Sequence, residues 1–247
     1  MATCKYCNKP AGFLRFTHKD CTTKFNNGKA EITSTALSAI QNNTDLNDLN
    51  RSIERIGSGS FISPTEQKSL IVSAWKKAVD NFLDDGILDR SEETRLAQYK
   101  NHFLLNDSDL DSNGHLTKTA KAAVIRELAE GKIPERVSLD GSISLNLQKG
   151  EKIIWAFPST EYLEDKTRRA FVGRSAGVSV RIMKGVYYRE SAFRGHPVEY
   201  TERVSLGRGL LVLTNKHMYF HSPTKSFRVP FQKIVSFEPY SNGIGFS

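Results

Sequence analysis

Residues 4–21 read Cys4-Lys-Tyr-Cys7-Asn-Lys-Pro-Ala-Gly-Phe-Leu-Arg-Phe-Thr-His18-Lys-Asp-Cys21, and everything else in the chain is read outward from them. A Cys-x-x-Cys turn presents two thiolates from a tight knuckle. Ten residues later a His-x-x-Cys pair offers an imidazole and a third thiolate from one face of a helical turn. Four ligands of the Cys3His type close a tetrahedral shell around Zn2+ and leave no position for water, which is the structural rather than the catalytic pattern. The expected ligands of one structural zinc ion are therefore Cys4, Cys7, His18 and Cys21. The three cysteines of the chain all fall in this pattern, and an odd number so close together is a poor disulfide framework. An iron–sulfur cluster would prefer a fourth cysteine to the histidine.

Between the ligand pairs, Asn8-Lys9-Pro10 turns the chain, Gly12 permits a bend, and Phe13, Leu14 and Phe16 are strand-like. This stretch resembles a treble-clef or zinc-ribbon finger. A module of that size depends on its metal to fold. Lys5, Lys9, Arg15, Lys19, Lys24 and Lys29 face only Asp20 and Glu31, with Tyr6, Phe13, Phe16 and Phe25 interleaved. Two readings stand for these residues: cations and rings for single-stranded nucleic acid, or a small core around the metal.

Beyond the finger the pattern turns helical. Leu46, Leu49, Ile53 and Ile56 recur at helical spacing, with Thr44 or Asp45 as cap, and Gly57-Ser-Gly-Ser60 reads as a hinge. Ser63, Pro64 and Glu66 form a capping-box start for the next helix, whose apolar stripe runs through Leu70/Ile71, Ala74/Trp75, Ala78/Val79 and Phe82/Leu83. Further helices are expected from about residue 90 to 105 and from 117 to 130. Asp109-Leu-Asp111-Ser-Asn113-Gly114 copies the start of a calcium loop, but its twelfth position is Ala120, so Ca2+ is not an expected cofactor. Asp84-Asp-Gly-Ile-Leu-Asp-Arg-Ser-Glu-Glu93 and Lys121-Ala-Ala-Val-Ile-Arg-Glu-Leu-Ala-Glu-Gly131 resemble the TerB-like helical domains of bacteria. That resemblance, over residues 63–135, implies a helical bundle of stress and phage-defence systems without defined catalytic chemistry.

From about Leu139 the period becomes alternating. Short strands are expected at 142–147, 152–157, 178–183, 185–189, 198–206, 210–214, 217–221, 226–230 and 234–240, which together read as an antiparallel sandwich or barrel. Gly209-Leu-Leu-Val-Leu-Thr-Asn-Lys-His-Met-Tyr-Phe220, followed by Phe227-Arg-Val-Pro-Phe-Gln-Lys-Ile234, resembles GRAM and bacterial pleckstrin-homology-like domains. The resemblance implies a curved sheet closed by a helix and serving as a platform for lipid head groups, peptides or proteins. The sequence departs from that pattern after Phe246, where the closing helix is missing, so either the chain is truncated or the helical middle or a partner is expected to cover the open end.

Charge is uneven along the chain. Residues 1–147 balance at 19 basic against 19 acidic side chains, while residues 148–247 carry 16 against 8. Arg168, Arg169, Arg174, Arg181, Lys184, Arg189 and Arg194 concentrate part of this excess. They suit either an anionic partner or a solvated basic edge that discourages strand pairing. No run of 18–20 apolar residues and no secretory leader is evident, which points to the cytoplasm. Apart from His18, no histidine has a metal or catalytic constellation nearby in sequence, and no nucleotide or nucleophile-elbow motif occurs.

The expectation is an α+β multidomain chain: a zinc finger at 1–30, a helical stalk and linker at 31–62, a TerB-like bundle at 63–136, and a PH/GRAM-type β-barrel or sandwich at 139–247. Its expected role is non-enzymatic, a scaffold that binds a protein partner. A nucleic-acid-binding regulator led by the finger is the alternative, and an anionic membrane surface is a lesser one.

Overall fold

The computed structural model describes residues 2–12, 15–137, 145–183 and 186–247, with the side chains of 171–197 outside the description. The chain divides into two units, Met1–Arg136 and Val137–Ser247.

In the first unit the helices are α1 (Lys19–Asn42), α2 (Leu46–Gly59), α3 (Pro64–Phe82), α4 (Arg90–His102), α5 (Asp107–Asp111) and α6 (His115–Ala129). Each start has a local cause. Asp45 caps α2 by accepting from the backbone N–H groups of Asn47 and Asp48. Ser63 and Glu66 form the expected capping box of α3, with Pro64 in its first turn. The apolar stripe of α3 (Ile71, Ala74, Trp75, Ala78, Val79 and Phe82) is buried against Ile32, Ala36 and Ile40 of α1 and Leu96 and Tyr99 of α4. The one indole nitrogen in this core is satisfied, since Trp75 Nε1 donates to the Leu96 carbonyl at 3.0 Å. The core draws on helices from both the 31–62 and the 63–136 stretches.

The hinge expected at Gly57 is absent: α2 continues through it to Gly59. The glycine is there for close approach. A Cβ on Gly57 would collide with the side chain of Gln67, whose Nε2 donates to the Ile62 carbonyl at 2.9 Å. A Cβ on Gly28 of α1 would likewise collide with Ser60. Two glycines thus let α1, the end of α2 and the start of α3 meet closely.

In the second unit, β1 (Ile153–Met183), β2 (Val186–Thr214), β3 (His217–His221) and β4 (Ser226–Pro230) form an antiparallel sheet in the order β1-β2-β3-β4. A 3-10 turn at Phe231–Lys233 leads to a separate hairpin of β5 (Phe237–Tyr240) and β6 (Gly243–Phe246). β3 and β4 match the sequence reading. The expected barrel or sandwich of short strands does not form. The sheet is open, and the pieces expected between residues 152 and 214 are two long strands of one hairpin. β2 pairs with β3 only over Leu210–Leu213, so beyond Gly209 the hairpin is a two-stranded ribbon.

The charged stretches that interrupt the apolar pattern at 161–169 and 199–208 look like loop composition along the chain. Across the ribbon they are partners. Asp165 stands opposite Arg203 and Arg169 opposite Glu199, each as an ion pair, and Arg168 pairs with Glu202. The core of this unit lies at the ribbon's base, where Val212, Met218, Tyr219 and Phe220 are buried. Tyr162, Phe220 and Phe227 pack there with ring centroids 4.9–5.4 Å apart.

Candidate metal centre

The Cys4–Cys7 knuckle is built by backbone bonds. Cys4 N–H donates to the Lys9 carbonyl at 2.8 Å and Asn8 N–H to the Cys4 carbonyl at 2.9 Å, while Asn8 takes a left-handed φ of 57°. Asparagine tolerates that conformation better than most residues. Lys5 N–H donates to the Phe16 carbonyl at 2.9 Å, drawing the knuckle toward the start of α1. There His18 is the N-cap in extended conformation and Cys21 lies in the first turn.

The four sequence-predicted ligands converge. Their ligand atoms all lie within 4.8 Å of one another, with His18 Nδ1 3.3 Å from Cys7 Sγ and 3.7 Å from Cys21 Sγ. Zn–S bonds of about 2.3 Å and Zn–N bonds of about 2.1 Å imply tetrahedral edges of roughly 3.5–3.8 Å, so the donor set fits one zinc ion. The outer shell fits as well. His18 Nε2 lies 3.0 Å from the Pro10 carbonyl, a bond that leaves Nδ1 free to ligate, and His18 N–H donates to Cys4 Sγ at 3.4 Å.

Cys4 is buried, and burial opposes its ionisation. Backbone N–H groups of Cys7, Tyr6 and His18 outweigh that and bring the thiol down to about 6. Burial, then the neighbouring thiols Cys7 and Cys4, push Cys21 up to about 11. Three close thiols resist ionising together, and a divalent ion is what such a cluster needs to hold all three as thiolates. Zn2+ here would supply cross-linking between the knuckle and α1.

The aromatic residues of the finger divide. Tyr6 packs on Phe25 of α1 at 4.9 Å and on Phe61 at 6.0 Å. Phe16 is 69% exposed, and Phe13 and Leu14 lie outside the described residues. Sequence reasoning missed Phe61, which comes from the α2–α3 connection and whose only local sign is a left-handed φ of 62°.

The calcium-like loop is used otherwise. α5 occupies its start, and the Asp111 carboxylate accepts from Thr117 N–H and Thr117 Oγ1, both at 2.8 Å. The bond to the Thr117 N–H serves a free donor in the first turn of α6.

A second cluster was invisible in the sequence. His217 has a carboxylate partner after all: Glu151, 66 residues away, accepts from Nδ1 at 2.8 Å. The same carboxylate accepts from Thr214 Oγ1 at 2.5 Å, Tyr219 OH at 2.9 Å and Gln148 N–H at 2.8 Å. Burial alone would raise its pKa. The donors Thr214, Gln148, His217 and Tyr219 instead bring Glu151 down to about 2. Thr214 Oγ1 also accepts from the N–H groups of Lys216 and His217, which shapes the β2–β3 turn. Every polar atom of the carboxylate is committed, so the cluster welds the 148–151 turn to the sheet. His221 bonds Ser226 and stays exposed.

Of the seven basic residues grouped in the sequence, Arg168 and Arg169 are paired with Glu202 and Glu199. Arg174, Arg181, Lys184, Arg189 and Arg194 lie outside the described side chains. No helix among the described residues is long and apolar enough to cross a membrane. No protein-family model matches the chain, and neither a curated protein nor a solved structure matches it.

Proposed function

We propose that this chain is a non-enzymatic, zinc-dependent scaffold of the bacterial cytoplasm that binds a protein partner through its second unit. The observation that carries this reading is an apolar group left in solvent around the β5–β6 hairpin. Val235 is 89% exposed, and Phe237 and Ile244, which share one face of the hairpin, are each about half exposed. Apolar side chains grouped in this way mark protein contact sites. Zinc would fix the start of α1, whose remaining length builds the core of the first unit.

In this reading the helical unit is of the TerB-like kind and the β unit an opened relative of the GRAM and pleckstrin-homology folds, and the pathway is a stress or phage-defence response. The Thr214-centred turn supports the second assignment, because it supplies a physical reason for the Leu-Thr-Asn pattern on which that resemblance rests.

The test is capture of partners from nuclease-treated bacterial lysate by zinc-loaded protein and by a Phe237→Asp/Ile244→Asp variant. A discrete protein retained by the wild type and lost by the variant is the expected result. Identical retention by both, or none by either, overturns the reading.

A further inference from the structure

A surface of aromatic rings and lysines lies beside the metal centre. Three rings from three separate segments meet there: Tyr6 from the knuckle, Phe25 from α1 and Phe61 from the α2–α3 connection. Each has a lysine ammonium over it, with Lys5 4.9 Å from the Tyr6 centroid, Lys29 5.3 Å from Phe25 and Lys24 5.7 Å from Phe61.

Lys5, Lys24 and Lys29 crowd these rings without an ion pair among the described residues. Among the described residues of this unit, the Lys and Arg ion pairs involve Arg51, Arg90, Lys100, Arg126, Lys132 and Arg136. None involves Lys5, Lys24 or Lys29, nor Lys9, Arg15 or Lys19 around them. The Glu66 carboxylate, which accepts from Ser63 in the capping box, feels Lys29 and Lys5 without forming an ion pair with either. A zinc ion held by three thiolates and one imidazole adds a single negative charge, which six cations exceed even with Asp20, Glu31 and Glu66 counted.

Phe61 is placed by the end of α2. It is the left-handed C′ residue, φ 62°, of a Schellman-type cap in which Ile62 N–H donates to the Gly57 carbonyl at 3.0 Å. That cap turns Ile62 into the core and leaves Phe61 36% exposed, holding its ring beside Tyr6 and Lys24.

We infer that this surface binds single-stranded nucleic acid, with Lys5, Lys24 and Lys29 on phosphates and the exposed Phe61 ring, backed by Tyr6, stacking a base. A duplex keeps its bases stacked internally and offers no face to Phe61, whereas an unpaired strand does. An acidic protein would use the lysines and leave the partly exposed ring unused. The inference is independent of the protein partner proposed for the second unit, so either can fail alone.

The experiment is fluorescence anisotropy of the zinc-loaded full chain with a labelled oligo-dT, the matched duplex, and poly-glutamate as competitor. Expected are preferential binding of the single strand and a log–log salt slope of about −2, from three phosphates at roughly 0.7 each. Lys24→Glu/Lys29→Glu should weaken binding at least tenfold, while Lys118→Glu on α6 leaves it unchanged. Phe61→Gly keeps the left-handed cap of α2, so helix content should hold while affinity falls by about tenfold, the worth of one stacked base. Equal affinity for duplex, full competition by poly-glutamate, or unchanged binding in Phe61→Gly overturns the inference.

Discussion

Nδ1 of His217 lies 2.8 Å from the carboxylate of Glu151, with both side chains almost wholly out of solvent and 66 residues between them. The pair sits at the centre of a polar box completed by Thr214, Tyr219 and the Gln148 N–H, and this box orders the base of the second unit. Leaving buried donors without an acceptor costs more than a hydrogen bond contributes. Glu151→Gln should therefore destabilise this unit by about 2–3 kcal/mol, read by urea unfolding.

The same carboxylate sets a pH dependence. Its folded pKa of about 2 lies below the ordinary glutamate value, so its contribution is fully present above that ordinary value and is lost as pH falls toward 2. The stability difference between wild type and Glu151→Gln should be constant near neutrality and shrink between about pH 4.5 and 2. A difference that stays flat across that range would show that the box does not hold the carboxylate ionised.

Metal analysis should find one zinc per chain, and cobalt substitution should give the charge-transfer absorption of a tetrahedral thiolate site. Chelation, or Cys21→Ser, should lower the melting temperature of the first unit and loosen the amides at the start of α1, seen by hydrogen exchange.

Gly28 and Gly59 should respond to alanine in opposite directions. Gly28→Ala drives a methyl onto the Ser60 Cβ, which is fixed to the backbone, and should cost about 1–3 kcal/mol. Gly59→Ala meets nothing within 4 Å and should stabilise the helix by about 0.5–1 kcal/mol. Urea unfolding of the two variants reads the difference in sign.

Arg203→Asp places two aspartates opposite each other in the ribbon, and Asp165→Arg combined with it restores the pair. These groups are about half exposed, so each step should change stability only slightly. Hydrogen exchange of residues 163–170 is the sensitive measure, expected to speed up in the single variant and recover in the double.

Asp111→Ala should cost about 1 kcal/mol by freeing a donor in the first turn of α6, and added calcium should leave the melting curve where it was.

Signals that act within a few residues were legible along the chain. Cys-x-x-Cys and His-x-x-Cys each bring two donors together by local turn geometry, and Ser63-Pro64-Glu66 closes its capping box within one helical turn. β3 and β4 are short enough that their alternation and turns define them. Gly57 was misread because a flexible residue and a close-contact residue look the same until Gln67 arrives from the next helix. The ribbon was misread because charges that suggest a loop in one strand are neutralised by charges some 30–40 residues away.

The amino-acid order thus picked out the four Cys and His side chains that converge, the helical and β halves and the starts of α2, α3 and α4, since these depend on neighbours a few bonds apart. Only long-range closure decided that the sheet stays open, that Glu151 meets His217, and that Phe61 joins Tyr6 beside the metal centre. Such contacts form when distant segments fold against one another, and no local pattern encodes which distant group will supply the missing donor, ring or opposite charge.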